Sequence, residues 1–337
     1  MQDFKEKLRA SKKTAVFLVI FFCLIFVSSV FFKRMAVNHP EFVQSRNKPW
    51  INIQKEKKDS IDVLVLGDSE SYTTFSPMEI WEQDGIASFV CGQTGQEVEE
   101  TYYMLKTALR TQKPKVVIFE TNSMFQPQNA VEGFDKTIAQ TVNYYFPVFL
   151  FHSMWQNWVM GPGEQQIYYK GFVVRDVVDP YDGGSSYMDP TERKEHMSQT
   201  VRFYMDKMLT MCKEKGISVI LYSAPSPNNY NYAKHNTLTE YAKQNGADYL
   251  NFNLMTEELE IDWERDSLDN GDHLNVLGAQ KLSRYFGTYL KEHYGLEDHR
   301  EDPGYESWKE GMPEYQHARQ NAIKKIDVIL KYLREKK

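Results

Sequence analysis

Five short apolar runs, each ending on small and polar residues, constrain this 337-residue chain most. Residues 61–66 end at Gly67-Asp68-Ser69, and 87–91 end at Gly92-Gln93-Thr94-Gly95. Residues 115–120 end at Thr121-Asn122 and 217–222 at Ser223-Ala224-Pro225; 248–252 make the fifth run. Helical spacing lies between them, at 97–110 (Val98, Tyr102, Leu105, Leu109) and at 232–245, which Gly246 closes. A strand that is apolar throughout is buried on both faces, and alternation with helices dictates parallel pairing. The predicted fold is therefore α/β, a three-layer α/β/α sandwich around a mostly parallel sheet. In such sheets ligands bind at the carboxyl ends of the strands, where the polar clusters fall.

A second constraint lies upstream. Residues 14–32, TAVFLVIFFCLIFVSSVFF, hold no charge for 19 positions. As a helix they extend about 28 Å, close to the roughly 30 Å hydrocarbon core of a bilayer. The run exceeds the usual apolar core of a signal peptide and no A-x-A site follows, so an uncleaved membrane anchor is expected. Residues 1–13, with Lys5, Lys7, Arg9, Lys12 and Lys13, read as a cytoplasmic basic tail that leaves the body outside the membrane. Residues 33–58 read as an irregular juxtamembrane stalk, 59–295 as the main folded body and 296–337 as a C-terminal helical extension. Within the body, 123–200 breaks the alternation. It is aromatic and punctuated by Gly and Pro, and reads as an insertion forming a lid or substrate wall.

Charge narrows the partners. The chain has 40 basic and 46 acidic residues. Setting aside the five basic and two acidic residues of the tail, with Lys33 and Arg34, leaves 33 basic against 44 acidic. A body that acidic, with no basic stripe, excludes nucleic acid as a partner. Of three cysteines, Cys23 lies in the apolar run. Cys91 and Cys212 read as buried free thiols, a bridge between them being the alternative.

The chemistry-bearing residues lie at strand ends. Ser69 follows the first apolar run, where a hydroxyl stands exposed at the sheet edge. Far downstream, Asp269-Asn270-Gly271-Asp272-His273 precedes a helical run. An imidazole oriented by a nearby carboxylate can take a serine proton, and either Asp269 or Asp272 is placed to orient His273. The same three residues invite a metal, yet no H-E-x-x-H or Cys/His spacing supplies further ligands, so neither metal nor other cofactor is expected.

Together these blocks resemble the SGNH/GDSL hydrolase superfamily, whose flavodoxin-like fold agrees with the strand pattern. Gly67-Asp68-Ser69 matches its nucleophile motif, and Gly92 to Gly95 looks like its second block. Glu120-Thr121-Asn122 stands where the family carries an asparagine, and Asp269 to His273 stands for the final Asp-x-x-His. The resemblance implies Ser69 as nucleophile and His273 as general base and then acid. It implies an oxyanion hole from the N–H groups of Ser69 and Gly95 with the Asn122 amide. Two departures are plain: Asn270 occupies the family's aspartate position, and the third block reads Glu-Thr-Asn. An anchored body of this kind is similar to surface-polysaccharide acyl esterases and acyltransferases, such as the alginate O-acetylation and teichoic-acid D-alanylation proteins. That implies a cell-surface glycan or acyl donor as substrate and a multi-span membrane acyltransferase as partner, with hydrolysis and transfer both open. The alternative is a catalytically lapsed scaffold that binds glycan or a membrane acyl-transfer protein.

Overall fold

The computed structural model describes residues 2–126, 128–163 and 165–336, with side chains from Ser11 onward. Most side chains of the basic tail, and Lys337 at the far end, therefore lie outside the described residues. Five parallel strands form one sheet: β1 (Val63–Gly67), β2 (Ser88–Gly92), β3 (Val116–Glu120), β4 (Ser218–Ser223) and β5 (Asp248–Asn251). Their order is β2-β1-β3-β4-β5, so the winding reverses between β1 and β3. In doubly wound sheets that reversal opens the ligand crevice.

Among the described residues twelve α-helices accompany the sheet. The first six are α1 (Gln2–Asn38), α2 (Lys48–Lys55), α3 (Ser69–Thr74), α4 (Pro77–Asp84), α5 (Val98–Ala108) and α6 (Ala130–Tyr145). Next come α7 (Val148–Phe151), α8 (Met154–Met160), α9 (Gln199–Glu214) and α10 (Tyr232–Asn245). The last two are α11 (Val276–Tyr294) and α12 (Glu306–Lys336).

Period-two alternation along the strands divides the core in two. Leu64, Leu66, Phe89, Cys91, Val117, Phe119 and Leu221 face a layer holding α2, α5, α9 and α10. Val63, Val65, Val90, Val116, Ile118 and Ile220 face Phe75, just after α3, and Leu282, Phe286 and Leu290 of α11. The three-layer α/β/α architecture follows. Cys91 and Cys212 are buried and free. The C-terminal segment docks through Trp308 and Tyr315, both fully buried. Tyr315 Oη lies 3.0 Å from Ser76 Oγ.

Two readings of the sequence need correction. Residues 33–58 are not an irregular stalk. Helix α1 runs on to Asn38, and Ala36, Val43, Ile51 and Ile53 are fully buried in the main core. Arg46 makes a two-pronged ion pair with buried Glu100 at 2.8 and 2.6 Å, and Trp50 Nε1 donates to Gln93 Oε1 at 3.2 Å. The polar residues that suggested a stalk flank one short apolar helical face.

The insertion also divides in two. Tyr144 of α6 packs toward α5, its ring 4.7 Å from that of Tyr103, whereas Phe134, Tyr145, Phe149, Trp155 and Trp158 of α6 to α8 are exposed. Residues 169–181 run along the edge strand β2 and on to the segments around Ser69 and His273. Val90 donates to the Lys170 carbonyl at 2.9 Å and Val173 to the Tyr72 carbonyl at 3.0 Å. Farther along, Val276 donates to the Arg175 carbonyl at 3.0 Å. Gly171 (φ +94) is required here, since a Cβ would come within 1.9 Å of the Val90 carbonyl oxygen.

Helix α1 is the one described helix long and apolar enough to cross a membrane, over Ser11–Asn38.

Candidate active site

Strand β1 ends at Gly67 and the chain turns at once into α3. Asp68 is the N-cap, its carboxylate accepting from Glu70 N–H at 3.1 Å. Ser69 is therefore the first helical residue rather than the cap. The turn needs Gly67 (φ +157), because a Cβ there would meet the Glu120 side chain at 2.5 Å. The opposite side of the site comes from the turn before α11. Asn270 (φ 53) and Gly271 (φ 85) take left-handed conformations. This folds the chain so that Leu268 N–H reaches the His273 carbonyl at 2.9 Å.

The two segments meet. His273 Nε2 lies 2.8 Å from Ser69 Oγ, across 204 positions of sequence. On the other side of the ring, Nδ1 lies 2.8 Å from Asp269 Oδ2, and Asp269 Oδ1 accepts the backbone N–H of His273 at 2.7 Å. Asp272 Oδ2 is 3.6 Å from Nδ1, beyond hydrogen-bond distance, and the other carboxylate oxygen is engaged by Asn229 Nδ2. Of the two carboxylates, Asp269 is the one within hydrogen-bond distance of the ring. The His273 side chain is only 16% exposed, while Asp269 is 44% exposed.

The residues assigned to an oxyanion hole stand differently. The loop after β2 is tied to the Ser69 segment by Gln93 N–H to Gly67 O at 3.4 Å and by Thr94 Oγ1 to Tyr72 Oη at 2.9 Å. Gly95 (φ +59) follows, exposed, with nothing within 4 Å of where a Cβ would stand. Asn122 Nδ2 donates to Asp68 Oδ2 at 3.0 Å. One amide N–H is thus committed to the N-cap carboxylate of α3, leaving the other for a ligand.

Beneath the serine lies a group that sequence reading missed. Asp68, Glu70 and Glu120 are all buried. Glu120 holds the Asn122 N–H at 2.9 and 3.0 Å and accepts from Tyr230 Oη. Glu70 Oε1 accepts from Asn229 Nδ2 at 2.8 Å, while Oε2 has no partner among the described residues. Burial pushes the Glu70 carboxyl from 4.5 to about 8, with the charge of His273 opposing that rise. Burial also raises Asp68 and Glu120, with Asp68 and Glu70 adding to the rise at Glu120.

His273 moves the other way from a simple buried imidazole. Desolvation lowers it, but the Asp269 hydrogen bond and the charges of Glu70, Asp269 and Asp272 outweigh that and lift it to about 9. Burial pushes Asp269 up, yet its contacts with His273 hold it below the usual carboxylate range. The site therefore stabilises an imidazolium, the species that forms when a serine proton is taken.

Glu70, Asp272 and His273 also place three ligand atoms within 4.8 Å of one another, enough to consider a metal. Both imidazole nitrogens are engaged by Ser69 and Asp269, so an ion there would displace the serine contact. Arg175 donates to Tyr72 Oη at 3.4 Å and lines a cavity of about 660 Å³ between 165–176 and α12. No residue of the serine–histidine–aspartate array lines it. Arg300 is paired with Asp298 at 2.5 Å.

No family model matches this sequence, and no curated protein matches it. Solved structures do show likeness. One is a protein assigned as an acylhydrolase from Bacteroides fragilis, at 12% identity over 72% of this chain and 93% of that one, TM-score 0.37. Another is a GDSL-like lipase from Bacteroides thetaiotaomicron, at 12% identity over 77% and 97%, TM-score 0.35. A third is an acetyl xylan esterase from the rumen bacterium Butyrivibrio proteoclasticus, at 12% over 70% and 65%, TM-score 0.34.

Proposed function

We propose that this chain is a serine acyl esterase or O-acyltransferase of the SGNH/GDSL type. In this reading it is held by α1 in a cell membrane, with its body outside, and acts on acyl groups of surface polysaccharide. The observation that carries the chemistry is the continuous Ser69–His273–Asp269 array, with both contacts of the ring at 2.8 Å.

Ser69 Oγ attacks the acyl carbonyl carbon while its proton passes to Nε2 of His273, and Asp269 stabilises the resulting imidazolium. The N–H groups of Ser69 and Gly95 with the free amide N–H of Asn122 are the proposed donors to the oxyanion. Collapse breaks the ester C–O bond and His273 returns the proton to the departing oxygen, leaving an acyl-serine. Water or a sugar hydroxyl then attacks, giving esterase or transferase outcomes through the same groups. A multi-span membrane acyltransferase is the proposed partner for acyl supply. Asn270 in place of the family's aspartate favours the lapsed scaffold, whereas Asp269 at hydrogen-bond distance from Nδ1 supports the enzyme.

A fluorophosphonate reagent should label the full chain on Ser69, and Ser69→Ala should abolish labelling while leaving the circular dichroism spectrum unchanged. A folded wild-type protein that takes no label, and releases no acid from aryl acetates, would defeat the proposal.

A further inference from the structure

We infer that α7 and α8 form an interfacial foot that beds into the outer leaflet of the bilayer beside α1. This rests on the reading of α1 as a membrane anchor and adds a second lipid contact to it.

The sequence signal is an absence of charge. Residues 137–163 contain no Asp, Glu, Lys or Arg over 27 positions, in a chain that is 26% charged. The stretch is not one spanning helix. Helix α6 ends at Tyr145, Pro147 precedes the four-residue α7, and α8 stops at Gly161. A charge-free segment broken into short helices suits the plane of an interface better than a crossing.

Burial sharpens the point. On α8, Trp155 is 52% exposed, Trp158 61%, Val159 73% and Met160 77%, and Phe149 of α7 is 46% exposed. Contiguous apolar exposure of this kind marks a surface that meets protein or lipid. Two tryptophans on one short helix match the headgroup level, where an indole buries its ring and keeps its N–H wet.

Position selects lipid. The Val148 N–H points at Ser29 Oγ, 3.5 Å away, and Ser29 is buried. Ser29 lies three residues before the end of the apolar run at Phe32, about 4.5 Å inside it along a helix. Asn157 Nδ2 donates to the Phe42 carbonyl at 2.8 Å, which fixes α8 against the chain beyond that end. The pair is thus pinned at the depth where hydrocarbon gives way to headgroups whenever α1 spans a bilayer.

The test uses the full chain in phosphatidylcholine vesicles whose acyl chains carry bromine near the headgroup, a contact quencher of tryptophan. Helix α1 contains no tryptophan; Trp50, Trp81 and Trp308 are buried in the body, and the half-buried Trp263 lies against Tyr181, away from α7 and α8. Bromine should therefore quench the wild type, and Trp155→Phe/Trp158→Phe should remove that quenching. Absent quenching in vesicles that float with the protein overturns the foot, leaves the anchor standing, and assigns the face to a protein partner. Quenching that persists in the double variant overturns it too. Failure to float defeats the anchor reading, and the foot with it.

Discussion

Asp269 grips His273 twice, through Nδ1 at 2.8 Å and through the backbone N–H at 2.7 Å. Both oxygens of one carboxylate thus fix ring and backbone together, and the left-handed Asn270 and Gly271 supply the turn that permits it. A carboxylate three residues before the histidine, the spacing of the family it resembles, is replaced here by one four residues before. The imidazole still receives its partner on Nδ1.

The two candidate aspartates should separate cleanly. Asp269→Asn leaves the ring to the wrong tautomer and is expected to lower turnover by up to about 10⁴-fold, the scale seen when a triad aspartate is lost. Asp272→Asn, whose nearest oxygen stands 3.6 Å from Nδ1, should cost about tenfold or less, since it acts by charge rather than by orientation. Steady-state kinetics on an aryl acetate read both. Equal losses would contradict the assignment of Asp269.

Acidity at the site is set partly by a residue behind the serine. His273 must be neutral to accept a proton, and its pKa is raised to about 9, in part by Glu70. Below that value the imidazolium predominates, so kcat/KM should climb with pH through the alkaline range rather than level off near 6.5. Glu70→Gln removes the negative charge and should move the midpoint down, toward an ordinary imidazole. A pH–rate profile unchanged by this substitution would show that the buried carboxyl is protonated throughout.

Asn122→Ala tests the oxyanion role with a qualification the structure adds. Losing a donor of this kind costs about 2.7–4 kcal/mol in the transition state, a fall of roughly 10²–10³ in kcat with KM little changed. The same substitution leaves Asp68 Oδ2 without its amide donor, so thermal stability should drop as well. Intact turnover would show that Asn122 serves only as the support of the nucleophile helix.

The segment before the sheet carries a prediction about folding. Ile53 is fully buried in the main core. Ile53→Ala should destabilise the body by about 2–5 kcal/mol, read as a lowered denaturant midpoint. A stalk would tolerate the change.

Much of the architecture was legible because short, wholly apolar strands have few alternatives. The observed bounds Val63–Gly67, Ser88–Gly92 and Ser218–Ser223 fall within two residues of those read from the sequence. Ser69 and His273 were legible because each sits beside a strand end or a helix start. Other features were hidden for physical reasons. Glu70 and Glu120 are charged residue types that almost never bury completely, so nothing in the sequence marks them as floor rather than surface. Asn229 lies in a loop, where no periodicity reports direction. Helix α2 offers only Trp50, Ile51 and Ile53 as its buried apolar face between Lys48-Pro49 and Lys55, too brief a pattern to stand out from its charged flanks.

The burial of α2 has a mechanical consequence. Trp50 and Arg46 bind the loop after β2, the same loop that Thr94 ties to the nucleophile helix. In the proposed function the Ser69 hydroxyl therefore does not swing on a leash: it is held in one place relative to α2, like a tool bolted to its post, and acts on acyl groups brought to that place.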